Sequence, residues 1–111
     1  MSNITNPAII DLEIFEGSTG DLIFRYPAII TLTGLSCRFQ VRERSGKLII
    51  NKYTASGAAI SGQDITVTFA YADTSGKAGV YEYEVEAYDG TTTVNKLTRG
   101  QWTIKRQISK P

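Results

Sequence analysis

A chain of 111 residues, 41% hydrophobic and 21% charged, is long enough for one core and too apolar to stay disordered. Its basic and acidic residues nearly balance at a formal charge of +1, which excludes the strong field that draws proteins onto nucleic acid or anionic membranes. The sequence contains no histidine, and so lacks the commonest general base, metal ligand and nucleophile partner.

Met1 to Pro7 is polar, without the basic-then-apolar order of a signal peptide, and reads as an N-terminal arm. The domain proper is expected over 8–105, with a tail at 106–111. Ile10, Leu12 and Ile14 alternate with Asp11 and Glu13; Leu22, Phe24 and Tyr26 alternate with Ile23 and Arg25. Leu35 to Arg42 alternates cleanly and turns Cys37, Phe39 and Val41 inward. Ser45-Gly46 marks a hairpin before Leu48. Ile65-Thr66-Val67-Thr68-Phe69 repeats the pattern with threonine outside, which suits a pleated surface. Ala70 to Lys77 is expected to form at most one helical turn over an end of the domain.

The strongest strand is Tyr81-Glu82-Tyr83-Glu84-Val85-Glu86-Ala87. On a helix its glutamates would spread around the cylinder; on a strand they line one face. Asp89-Gly90 then signals a short hairpin, because a type I′ turn needs positive φ at both central residues. Trp102 and Ile104 alternate with Thr103 and Lys105 in the last strand. About seven to eight short antiparallel strands between glycine-bearing turns are the pattern of an all-β, immunoglobulin-like β-sandwich. Its expected core residues are Phe39, Phe69, Tyr81, Tyr83 and Trp102. A tyrosine at 81 or 83 is placed to return its hydroxyl to the preceding loop, as in the tyrosine corner of sandwich folds. A lesser reading keeps Tyr26 or Tyr88 exposed at a contact.

Little in the chain points to catalysis. Cys37 stands alone, so no intrachain disulfide forms; a buried hydrophobe in a reduced, cytoplasmic setting is the expectation. Glu82, Glu84 and Glu86 share a face that reads as solvated, without the burial a general acid needs. Gly76-Lys77-Ala78-Gly79 lacks the spacing of a phosphate loop, and the apolar runs are too short to span a bilayer. Arg38, Arg42, Arg44, Lys47 and Lys52 with Tyr53 make a basic hairpin, but the aromatics fall mostly inward and the net charge is near zero. Residues 81–89 are acidic and 96–110 basic; they are expected to face each other across neighbouring strands, or else to form two patches that dock against different neighbours. The expectation is a binding protein with no catalytic, cofactor or metal site, and no nucleic-acid or membrane partner.

Several motifs in fixed order carry a family likeness. Gly20-Asp21 opens a strand, Leu32-Thr33-Gly34 leads to Arg38-Phe39-Gln40-Val41-Arg42, Asp73-Thr74 precedes Gly79-Val80-Tyr81-Glu82-Tyr83-Glu84-Val85, and Gly100 leads into Trp102-Thr103-Ile104. Over about residues 18–105 this succession resembles the immunoglobulin-like domain at the N-terminus of bacteriophage baseplate upper proteins and related tail-fibre attachment proteins. The resemblance implies a virion structural protein, synthesised in the host cytoplasm. It would be an adaptor in the tail or baseplate that docks fibre or receptor-binding components by protein–protein contacts, repeated as a homo-oligomer. Leu22 follows Asp21 where the family more often has a hydroxyl residue. Family members also continue into longer segments beyond the point where this chain stops at Pro111, so host-receptor binding is not expected of it. The candidate partner contacts are Ser2, Asn3 and Ile4 in the arm and Arg106, Ile108 and Lys110 in the tail. Two other readings use the same sandwich: a head or neck decoration protein, and a stand-alone carbohydrate- or cell-surface-binding domain, for which Asn51 near Tyr53, and Asn95, are the available carboxamides.

Overall fold

The computed structural model describes residues 8–90 and 94–106. They form β1 (Ala8–Ile9), β2 (Leu12–Phe15), β3 (Gly20–Arg25), β4 (Ser36–Arg42), β5 (Leu48–Thr54), β6 (Gly57–Ser61), β7 (Asp64–Phe69), α1 (Tyr71–Thr74), β8 (Gly79–Tyr88) and β9 (Val94–Lys105). Alternation governs each long strand. β4 buries Cys37, Phe39 and Val41, and β8 buries Tyr83, Val85 and Ala87, because successive side chains on a pleated strand leave by opposite faces.

The protein is all-β, a curled mixed sheet whose path runs β1-β9-β8-β4-β5-β6-β7-β3, with β2 also on β9. The path bends most sharply between β5 and β6, where only Tyr53↔Gly57 and Thr54↔Ala58 are paired. Ala55 and Gly57 both take positive φ at this corner. A Cβ on Gly57 would lie 2.5 Å from the Lys52 Cδ and would have to displace that side chain, but it is the positive φ that calls for glycine at the corner. The curl brings the far strands face to face: the Phe24 ring on β3 lies 6.2 Å from Phe39 and 6.3 Å from Tyr83, and Phe69 on β7 stacks on Trp102 of β9 at 5.7 Å. Phe39, Tyr83 and Trp102 are fully buried at the centre; each such side chain contributes roughly 2–3 kcal/mol by leaving water.

Three expectations need correction. The strands are not all antiparallel: β1 and β2 run parallel to β9, and β5 meets β6 in a two-pair parallel contact. For β1 and β2 the rest of the domain supplies the long connection that a parallel ladder needs. The first alternation does not make one strand but two, β1 and β2, interrupted at Ile10-Asp11. Finally, Tyr88 pairs with Val94 and not with residue 91, so Asp89-Gly90 is not a two-residue hairpin turn, although Gly90 has positive φ. The hairpin at Ser45-Gly46 closes with the Glu43 N–H on the Lys47 carbonyl at 2.9 Å, with Gly46 at positive φ.

Candidate docking surface

The interruption at Ile10-Asp11 is built from specific residues. Gly100 sits beside it, and a Cβ there would lie 2.1 Å from the Ile10 carbonyl oxygen. With glycine, the two backbones approach closely. The Tyr83 hydroxyl donates to that Ile10 carbonyl at 2.6 Å, and the Gln101 N–H, left without a ladder partner, donates to the Asp11 carboxylate at 2.9 Å. The Tyr83 phenol is pushed up to about 12, by burial first and then by Tyr26 and Asp11, so it remains a donor at any ordinary pH. Register is unchanged on either side of the detour, Ile9 opposite Arg99 and Leu12 opposite Trp102. The detour turns the Ile10 carbonyl out of the ladder, while its N–H still donates to the Arg99 carbonyl at 2.9 Å.

Ile10 thereby becomes one wall of an open groove of about 410 Å³, lined by Ala8, Leu12, Leu22, Phe24, Pro27, Ile30 and Leu97 among others. β3 forms the other wall. Leu12 and Leu22 also line a smaller hollow of about 140 Å³ that reaches Phe69 and Trp102, so the gap between β2 and β3 continues along the strands. The turn Pro27–Ile30 closes one end and is braced: the Gln63 amide donates to the carbonyls of Pro27 at 2.7 Å and Ile30 at 2.9 Å. That turn holds Ile29 84% exposed, and in the groove's own lining Ile23 is 54% and Ile10 46% exposed. Single exposed hydrophobes are ordinary, but several around one apolar hollow mark an interaction surface.

The opposite end is closed by polar bonds. Lys52 shares the face of Phe39, crosses the Phe69 ring at 6.0 Å and donates to Asp73 at 2.9 Å. Burial draws the Asp73 carboxyl upward, but the Lys52 and Ala70 hydrogen bonds and the nearby lysine charges outweigh it and hold it below the usual carboxylate range. Thr74, fully buried, accepts the Gly17 N–H at 2.8 Å; the Gly76 N–H donates to Glu16 at 3.0 Å; the Tyr81 hydroxyl donates to the Lys77 carbonyl at 2.7 Å.

Of the predicted core residues, Phe39, Phe69, Tyr83 and Trp102 are buried and Tyr81 lies half-buried at the margin. Of the predicted contacts, Arg106 is exposed just beyond β9; Ser2, Asn3, Ile4, Ile108 and Lys110 lie outside the described residues. Tyr26 is not an exposed contact: it is buried, its hydroxyl bonded to that of Thr98 at 2.6 Å. A bulge explains why Thr98 is there, since β9 gains an extra residue opposite Val85/Glu86 and buries both Leu97 and Thr98.

Nor is the glutamate face wholly solvated. Glu86 is buried on it, bound by Arg38 at 2.6 Å and approached by Lys96 at 3.5 Å, while Lys96 also holds Glu84 at 2.6 Å. The acidic and basic strands thus meet through Lys96, whereas Lys105 turns to Glu13 on β2 at 2.7 Å. Arg38 also lies over the Tyr88 ring at 5.2 Å. With Lys52 on Asp73, two cations of the basic hairpin are already occupied. Cys37 is buried, and burial pushes its thiol up, away from reactivity. Among the described residues, no group of three His, Cys, Asp or Glu side chains is placed to hold a metal ion, and no helix is long and apolar enough to cross a membrane. No family model matches this chain, and no curated protein matches it in sequence.

Proposed function

We propose that this protein is a non-catalytic docking domain of the bacteriophage virion, an adaptor in the tail or baseplate. It uses the open side between β1/β2 and β3 to hold a neighbouring structural protein. The observation that carries the docking role is the braced turn at Pro27–Ile30, whose Pro27 and Ile30 line the end of an apolar groove while Ile29 is held in water beside them. Holding a hydrophobe exposed costs solvation and gains nothing within the monomer, whereas a preorganised apolar anchor strengthens association. The assignment to a virion rests on the motif order from Gly20-Asp21 to Trp102-Thr103-Ile104.

An immunoglobulin-like sandwich is part of the same proposal. What supports it is the split of the path into β9-β8-β4-β5 and β6-β7-β3, which matches the G-F-C-C′ and D-E-B strand orders of that fold. The Tyr81 hydroxyl on the carbonyl of Lys77 adds to this, standing where a tyrosine corner would. One departure is informative: β1 and β2 lie on β9, not on β3.

Imaging purified particles that carry a labelled copy tests the role. Label density at the tail or baseplate is expected; density on the head would favour a decoration protein instead, and particles without label would reject the proposal. Ile29→Asp is expected to reduce incorporation while changing the stability of the isolated domain by less than about 0.5 kcal/mol, as for surface substitutions generally.

A further inference from the structure

We propose that β3 pairs with β3 of a second copy of this chain, antiparallel, about a two-fold axis through Ile23. The proposal deepens the docking reading by naming a partner, and rests on it only for its use in an assembly.

β3 ends the strand path, and among the described residues it pairs only with β7. Its free side follows from alternation. The Tyr26 N–H donates to the Gln63 carbonyl at 2.9 Å, continuing the register Phe24↔Ile65 and Arg25↔Asp64. Consecutive residues of an antiparallel ladder turn their backbone groups to opposite sides. Leu22 and Phe24 therefore face β7, and Asp21, Ile23 and Arg25 offer their N–H and C=O groups to the open edge. The side chains of the same three residues are exposed.

Charges on an edge strand ordinarily discourage pairing, but here their order reverses that effect. A two-fold through Ile23 sets Asp21 of each copy opposite Arg25 of the other, and Ile23 opposite itself. All these pairs are of the hydrogen-bonded kind, since they involve the residues whose backbone groups are free. A parallel arrangement in the same register would put like charge against like. The edge is thus self-complementary in one direction. Arg25 uses Nε and Nη2 on Asp64, which leaves Nη1 for the second copy. Asp21 receives the Thr68 hydroxyl on Oδ1, which leaves Oδ2. Such an isologous contact uses up the edge and closes as a dimer.

Sedimentation equilibrium of the purified chain over a range of concentrations tests this. The wild-type chain is expected to dimerise reversibly. Asp21→Arg and Arg25→Asp should each weaken self-association about tenfold or more by setting like charges opposite each other. An equimolar mixture of the two variants should regain it, because the introduced arginine then meets the introduced aspartate. Ile23→Pro removes the central edge N–H at a position where proline is compatible with the sheet, and should give a monomer with an unchanged far-ultraviolet circular dichroism spectrum. A wild-type chain that stays monomeric, single variants that dimerise as well as wild type, or a mixture as weak as its components would each overturn the pairing. So would a monomer that dimerises only after removal of residues 1–7, since the chain's own first segment would then be the occupant of the edge. Particles play no part in these measurements, so failure of the pairing and failure of the virion reading are told apart.

Discussion

The two ends of this core are finished in opposite ways. At the α1 end, Asp73, Thr74, Glu16 and the Tyr81 hydroxyl each have a named partner from another part of the chain. Along the β1–β3 side Leu12, Leu22 and Ile30 pack against the core, while Ile10, Ile23 and Ile29 stand exposed to water. The polar end fixes the domain, because its bonds other than Tyr81 to Lys77 join segments far apart in sequence, and each leaves a costly unpaired group if broken. On the apolar side the backbone is fixed at Ile10 and Gly100, but the exposed isoleucine side chains add nothing to the monomer. Stability and association are thus assigned to different residues, and substitutions should separate them.

The largest expected loss comes from Gly100→Ala, which places a methyl group against the Ile10 carbonyl. Overpacking of this kind costs about 3 kcal/mol when backbone must move. Urea unfolding should register the loss, and hydrogen exchange should quicken over 8–15, where β1 and β2 leave β9. Asp73→Asn is expected to cost about 2 kcal/mol at neutral pH, the scale of a hydrogen bond to a charged group. Because the native carboxyl of Asp73 titrates below its unfolded value, its contribution is complete above the unfolded value near 3.8 and is lost as pH falls through the folded one. Wild type and Asp73→Asn should therefore converge in acid; a gap that persists there would place the effect in packing.

Tyr83 works in the other direction. Its native pKa of about 12 lies above the ordinary 10.0, so its stabilisation is full below the ordinary value and is lost as pH rises toward the native one. Ultraviolet titration should show late-ionising phenols, since burial pushes Tyr26 and Tyr81 up as well as Tyr83. Tyr83→Phe should reduce that late step by one phenol and cost about 1 kcal/mol for the bond to Ile10.

The sequence made the strands legible wherever one face is dry. Alternation in 36–42 and 79–88 is local, and burial followed it. The hydroxyl bond of Tyr81 was legible for the same reason, since Lys77 lies four residues upstream. Glu86 was not legible, because Arg38 reaches it from another strand; nor was the burial of Tyr26, whose partner Thr98 is turned inward by a bulge. The groove depends on Gly100, which sequence alone presents as one more turn glycine. What it does, making room for a parallel neighbour, depends on a strand nearly the whole chain away. Local periodicity reports faces, while the choice of neighbours depends on the closed sheet.

The smallest expected effect on stability belongs to Ile29, and it discriminates most sharply between the two ends. Ile29→Ser removes a side chain that is already in water, and should change the unfolding free energy by less than about 0.5 kcal/mol. The Gln63 amide should go on bracing the turn, since it bonds carbonyls of the neighbouring residues and not the isoleucine itself. If the apolar side serves association, the same substitution should weaken binding to the adjoining protein by about 1–2 kcal/mol, the scale of a buried apolar anchor. Thr74→Val is the matched control: it keeps the shape but leaves the Gly17 N–H without its acceptor, and should cost stability of about 1–3 kcal/mol with binding retained. A substitution at Ile29 that destabilises the isolated domain as much as one at Thr74 would mean that the exposed turn is held from within, and the division between the two ends would fail.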